Sequence, residues 1–391
     1  MFHADVEDPR EAARSLVPLL ADEAARTEDE RRLTDVSVAA LRRSGMFRLG
    51  TPAALGGHGA DIRTAVEVCE ELARGCAAGS WIVAIAYGGN LFASQLPDAE
   101  RATLWKEYPD TFVCGTANPS GSARRTVGGW TLSGRWPWIS GIHHAAWTLL
   151  GLTWTDDEHG GRERGMALVP TSALTVDDVW HVAGMRGTGS NVAVAEDVFV
   201  PDARVISLTD MANGTYRRLR PDEPRITFHL SINLPLVATA VGIAAATLDR
   251  VVQSVADGRR AVSPLYGLVA ETPAHQLNVA DAAVLVDTAR LHLRRAADEV
   301  DADARAGRRP ALADRARLRM DAAHATRCAR DAVSLLLDTA GAGSFADGSP
   351  LQRAWRDIET ASRHAALSVQ TSKEIYGRAL LGAELPPSPA I

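Results

Sequence analysis

The stretch Trp130-Thr131-Leu132-Ser133-Gly134-Arg135-Trp136-Pro137-Trp138-Ile139-Ser140-Gly141 interrupts a chain whose other long segments carry a helical period. Within it the run Trp130 to Trp136, with its aromatic and β-branched residues, reads as a strand, and glycine and proline punctuate the segment. Further runs of the same kind follow at Trp147 to Trp154, Met166 to Val169 and Val192 to Val200. Six of the nine tryptophans fall between Thr111 and Pro201, so the pattern predicts a β domain of about ninety residues, a small barrel or a sandwich.

On either side the apolar residues recur at three and four. Before the β segment they are Leu16, Leu19 and Leu20, then Val38 and Leu41, then Val66, Cys69, Leu72 and Ala73. Thr34 is placed to cap the helix through Leu41, and Gly45 to close it. Gly56-Gly57-His58-Gly59 breaks the chain before the next helix. After Pro224 the period predicts long helices near 228–256, 273–305, 313–338 and 350–381. Val279, Ala282, Val286, Ala289, Leu293, Ala296 and Val300 form one stripe. The class is therefore α+β, with a helical domain over 1–110, a β domain over 111–222 and a four-helix bundle over 223–391. Alanine-rich seams bury little apolar area per helix, which points to association of several copies.

The 391 residues carry a formal charge of -6, and no basic block stands out, so nucleic acid is not an expected partner. Leu230 to Leu248 is apolar but interrupted by Ser231, Asn233, Pro235, Thr239, Gly242 and Thr247, and reads as a core helix rather than a membrane span. Met1 to Arg14 mixes acidic and basic residues with no apolar run, and a cytoplasmic location is expected. Cys69, Cys76, Cys114 and Cys328 form no metal-ligand spacing and read as reduced, buried thiols. His143 and His144, adjacent on an expected strand, would point to opposite faces and could not chelate together. No metal site is expected. No GxGxxG opens a helix after a strand, Gly187-Thr188-Gly189-Ser190 lacks the ending of a phosphate loop, and GxSxG is absent.

Three blocks carry a resemblance. They are Gly134 to Gly141 with His144-Ala145-Ala146-Trp147; Trp180 to Ser190 with Asp197-Val198-Phe199-Val200-Pro201; and Ser349 to Ile358 with His364 seven residues after Asp357. In this order they resemble the acyl-CoA dehydrogenase superfamily, in its branch of reduced-flavin-dependent monooxygenases. The resemblance implies an N-terminal helical domain, a central β-barrel and a C-terminal four-helix bundle, assembled as a homotetramer. It also implies the oxygenase component of a two-component system. On this resemblance, reduced FMN or FAD would come from a separate flavin reductase and react with dioxygen to a C4a-hydroperoxide that hydroxylates a small-molecule substrate. That intermediate has to be kept dry and hydrogen-bonded.

The resemblance also assigns residues. His364 stands where the best-known dehydrogenases carry a Tyr-Glu-Gly run, and it is the candidate acid–base or hydrogen-bonding group. Ser140 would meet the N5 or O4 edge of the flavin, with Ile139 and Gly141 beside it, and Trp138 and Trp81 would offer flat apolar surface. Thr116, Ala117 and Asn118 would face the pyrimidine edge. Arg259 and Arg260 are candidates for the flavin phosphate, including across a subunit interface, and Gly343 could admit the cofactor closely. Phenol hydroxylases of this branch place a second histidine where this chain has Gly88-Gly89-Asn90. Gly89 and Asn90 are accordingly read as an enlarged substrate pocket for a bulky aromatic or a biosynthetic intermediate. Alternatives are N-oxygenation of an amine or amino sugar, an acyl-CoA dehydrogenase whose base lies on another helix, or a scaffold without activity.

Overall fold

In a computed structural model, residues 8–106, 108–155, 162–212, 215–218 and 228–384 are described. The expected boundary at 222/223 lies outside them. Among the described residues the first α-helices are α1 (Pro9–Asp22), α2 (Ala24–Glu30), α3 (Asp35–Arg43), α4 (Ile62–Gly75), α5 (Ala77–Ala93) and α6 (Asp98–Trp105). Thr34 caps α3 by accepting from the Ser37 amide, and Gly45 follows its end with a left-handed backbone. Helix α5 is apolar on all sides and buried almost throughout, as expected of a helix enclosed by its neighbours.

The chain then forms β1 (Val113–Thr116), β2 (Gly121–Thr126), β3 (Gly129–Ile139), β4 (Trp147–Thr155), β5 (Arg162–Pro170), β6 (Thr175–Asp177), β7 (Asn191–Pro201) and β8 (Val205–Ser207). Among the described residues these make two four-stranded sheets, ordered β1-β4-β5-β8 and β2-β3-β7-β6. The expected barrel is thus corrected: neither sheet closes on itself. Trp136 joins the two sheets, its indole donating to the Gly151 carbonyl at 2.8 Å. His143 and His144 are not on a strand either; they lie in the turn after β3.

Two short helices, α7 (Leu208–Ala212) and α8 (Thr215–Arg218), precede the C-terminal set: α9 (Phe228–Ala256), α10 (Pro273–Arg305), α11 (Leu312–Ala340), α12 (Pro350–Ala361) and α13 (Val369–Leu380). The segment expected as one helix over 350–381 is two, broken at 362–368. Ser368 causes the restart, its hydroxyl accepting from the Thr371 amide at 3.3 Å. Ile232–Ala256 is long and apolar enough to cross a membrane, but 72% of that window is buried by the other helices. All four cysteines are free and buried.

The helical regions interlock through buried polar contacts. Both carboxylate oxygens of Asp301 in α10 accept from the first amides of α4, Ile62 and Arg63, at 2.9 Å. Ser80 in α5 bonds Thr239 in α9 at 2.7 Å. The second contact fixes the level of Trp81 along α9.

Candidate active site

The site begins with an irregularity in β3. Its pairing with β7 slips between Trp136 and Ile139, which inserts a bulge, and Trp138 takes a left-handed backbone with φ of 64°. For a residue other than glycine that conformation costs about 1–2 kcal/mol. The bulge turns the Trp138 indole outward, 61% exposed, while Ile139 and Ser140 on the next two positions are buried. Ser140 sits one residue beyond the strand, and Gly141 makes the turn with φ of 77°, its amide donating to the Thr188 carbonyl at 2.8 Å.

Ser140 is the middle of a chain of hydrogen bonds. The Trp81 indole N–H donates to its Oγ at 3.3 Å. On its other side Ser190 Oγ is 2.7 Å away, and Ser190 Oγ is in turn 2.7 Å from Thr188 Oγ1. Thr188 Oγ1 also lies within donating distance of the Met185 carbonyl, at 2.8 Å.

His364 approaches from the C-terminal domain. It is not within a helix, as expected from sequence, but caps the short turn Ala365–Leu367 in the break between α12 and α13. Its ring meets Trp81 edge-on, with centroids 5.5 Å apart and planes at 71°. The side chain still meets solvent, yet surrounding protein pushes its pKa below the ordinary value. Nδ1 accepts from the Ala366 amide at 3.3 Å, so the neutral ring carries its proton on Nε2.

A second contact holds the 185–190 loop in place. The Met185 backbone is left-handed, and its amide donates to Asp357 Oδ1 of α12 at 2.5 Å. Gly184 allows this approach, since a Cβ there would stand 1.9 Å from the Arg356 carbonyl oxygen. Burial raises the Asp357 pKa to about 6, against the lowering effect of the Met185 N–H.

The remaining expected residues fall elsewhere. Thr116 ends β1 half-buried and Ala117 and Asn118 follow it exposed, with the Thr116 hydroxyl accepting from the Asn118 amide at 3.3 Å. Gly89 does not open a pocket: a Cβ there would stand 2.0 Å from the Val113 carbonyl oxygen, so this glycine lets α5 press against β1. Asn90 is wholly buried, donating to the Phe47 carbonyl at 2.8 Å and Thr51 Oγ1 at 2.9 Å, and holds the Phe47–Thr51 turn. Both are corrections to the substrate-pocket reading.

Arg259 donates to the Ala340 carbonyl at the end of α11, near the exposed Gly343, so these two form one surface patch. Arg260 pairs with Leu268 in a single β-bridge. From Thr239, level with Trp81, to Ala256 at the end of α9 is about 25 Å at 1.5 Å per residue. That patch therefore lies near the opposite end of α9 from the level of Trp81.

Comparison with known proteins places the chain in a family. The family model described as "Acyl-CoA dehydrogenase, N-terminal domain" matches residues 5–96, and that described as "Acyl-CoA dehydrogenase, C-terminal domain" matches 234–369. A FADH(2)-dependent resorcinol hydroxylase, oxygenase component, from Rhizobium sp. is 32% identical over 94% of this chain and 92% of its own. The chain belongs to the flavin-dependent monooxygenase branch of the acyl-CoA dehydrogenase superfamily. Among solved structures, this monooxygenase superposes on XiaF from Streptomyces sp. in complex with FADH2 and glycerol, with a TM-score of 0.91 and 33% identity, covering 98% of this chain and 97% of that one. The 3-HSA hydroxylase from Rhodococcus sp. RHA1 gives 0.92 at 30% identity, over 99% and 100%. Among the described residues of the monooxygenase, no group of three metal-ligating side chains occurs.

Proposed function

We propose that the chain is the oxygenase component of a two-component monooxygenase that receives reduced FMN or FAD from a separate reductase and hydroxylates an aromatic substrate. The observation that carries this reading is the conjunction at the β3 bulge. An exposed indole held in a left-handed conformation adjoins a buried hydroxyl that can donate or accept, and an imidazole closes the far side. A flat heteroaromatic ring with one polar edge fits that donor set: Trp138 offers a face, and Ser140 meets the edge. Bound reduced flavin supplies the electrons with which dioxygen is activated for transfer of one oxygen atom.

The chain's own residues have three tasks. Trp138 and Ser140 orient the ring. Trp81 fills the wall behind Ser140 and excludes water there. His364, its pKa held below the ordinary value by burial, holds a proton at Nε2, where it can be given to or shared with an oxygen atom delivered beside Trp81. Arg259 and Gly343 would meet the phosphate end of a flavin as contributions from a neighbouring subunit of the expected homotetramer. The turn at Thr116, Ala117 and Asn118 supplies exposed polar groups for the outer edge of the ring.

The relatives' aromatic substrates, read with the loss of any special role for Gly89 and Asn90, leave phenols of ordinary size among the expected substrates. The acyl-CoA dehydrogenase reading has less support, because relatives matching nearly the whole chain are named oxygenase components. The test is to supply chemically reduced flavin with oxygen and a panel of phenols and larger fused-ring aromatics. Hydroxylated product without any added reductase is expected. Bleaching of bound oxidised flavin by an acyl-CoA would reject the reading.

A further inference from the structure

The hydroxyls of Ser140, Ser190 and Thr188 are all nearly inaccessible, and each of their hydrogen atoms needs an acceptor. Two arrangements are open to them, the first satisfying every hydrogen within the protein and the second leaving the Ser140 hydrogen for a bound acceptor. In the first, Trp81 donates to Ser140, Ser140 to Ser190, Ser190 to Thr188, and Thr188 to the Met185 carbonyl. In the second, the hydroxyl hydrogens reverse: Thr188 donates to Ser190 and Ser190 to Ser140. The Met185 carbonyl does not then go unpaired, because the Trp180 indole and the Thr188 amide both donate to it at 3.1 Å.

The two arrangements leave Ser140 with opposite capacities. In the first its hydrogen is used, one lone pair takes the Trp81 N–H, and the other lone pair can only accept. In the second both lone pairs are filled, and the hydrogen can only be donated. A flavin N5 is an acceptor when oxidised and an N–H donor when reduced. We propose that Ser190 and Thr188 are positioning residues whose hydroxyls reverse together, so that Ser140 pairs with the flavin N5 position in either redox state. This rests on the reading of Ser140 as a flavin contact.

The asymmetry is testable. Without the Ser190 hydroxyl, Ser140 facing oxidised flavin still donates its hydrogen and loses only an accepted bond. Facing reduced flavin it accepts from N5–H and its own buried hydrogen has no partner, which is the costlier outcome. Ser190→Ala should therefore weaken reduced flavin more than oxidised flavin and narrow the ratio of the two dissociation constants by about tenfold. Thr188→Val should narrow it in the same direction by less, and Ser190→Thr should restore it. The measurement is anaerobic titration of the full chain with FMN and FAD, each in oxidised and dithionite-reduced form, with near-ultraviolet circular dichroism to confirm native packing. Equal changes in both affinities for Ser190→Ala and Thr188→Val would overturn the proposal while leaving the flavin site intact. Failure of the wild-type chain to bind either flavin in either state would overturn the site reading together with it.

Discussion

The imidazole of His364 stands edge-on to the indole of Trp81, 5.5 Å between ring centres, although 283 residues separate them in the chain. Trp81 also donates to Ser140, so one tryptophan connects a residue of the C-terminal domain to the turn after β3. Replacing His364 by alanine should leave reduced-flavin binding close to wild type while lowering product formation, typically by about 100-fold to 10,000-fold for one acid–base group. Peroxide release should rise as product falls. Unchanged product per flavin oxidised would remove His364 from the chemistry.

Trp138 is predicted to matter for ligand binding and not for stability. Glycine at this position relieves a left-handed strain of about 1–2 kcal/mol, and the exposed indole contributes little packing. Trp138→Gly should therefore melt at the wild-type temperature or above it, while flavin affinity falls. Calorimetry and flavin titration on the same sample separate the two effects.

Two glycines should respond oppositely to alanine. Gly89→Ala places a methyl carbon 2.0 Å from the Val113 carbonyl, a backbone atom that no side-chain rotation can move. It should destabilise by about 1–3 kcal/mol, a loss that exceeds the helix-propensity gain of about 1 kcal/mol. Gly343→Ala meets open space, and its melting temperature should not fall. If Gly343 admits a flavin bound mainly by a neighbouring subunit, the same variant lowers flavin affinity. Thermal melts and binding isotherms decide both.

Asp357 gives a pH dependence with a defined sign. Its native pKa is raised to about 6 by burial, above the value in the unfolded chain, so the native state holds the extra proton in between. The contribution to stability is present at low pH and is lost as pH rises through about 6. Asp357→Asn keeps an acceptor for the Met185 amide but removes the titration. The stability of wild type relative to this variant should fall between pH 4 and 7, as read by urea unfolding at each pH. A constant difference would show that Asp357 does not titrate in this range.

The sequence shows why some of this was readable. Trp130 to Trp136 and Val192 to Val200 announce β3 and β7 because aromatic and β-branched residues suit a pleated surface. The stripe from Val279 to Val300 likewise marks α10. The break around His364 was hidden, because Arg363-His364-Ala365-Ala366-Leu367 is compatible with a helix; Ser368, three residues before Thr371, was the signal for a new start. Gly89 illustrates an ambiguity that composition cannot resolve: a helix glycine serves either an open space or a backbone pressed against it. The Ser140–Ser190–Thr188 chain was out of reach for a different reason. Hydroxyl residues fifty positions apart carry no periodic mark of their proximity, and it is the pairing of β3 with β7 that brings them together.

If this site directs oxygen from reduced flavin into an aromatic ring, one atom of dioxygen ends in the product. The most direct measurement is a single turnover with chemically reduced flavin, isotopically labelled dioxygen and a phenolic panel that includes resorcinol and fused-ring phenols, with products analysed by mass spectrometry. A hydroxylated product carrying one labelled oxygen atom is expected, formed without any reductase and strongly diminished in His364→Ala. Recovery of all the label as hydrogen peroxide with every substrate, together with reduction of bound flavin by an acyl-CoA, would contradict it.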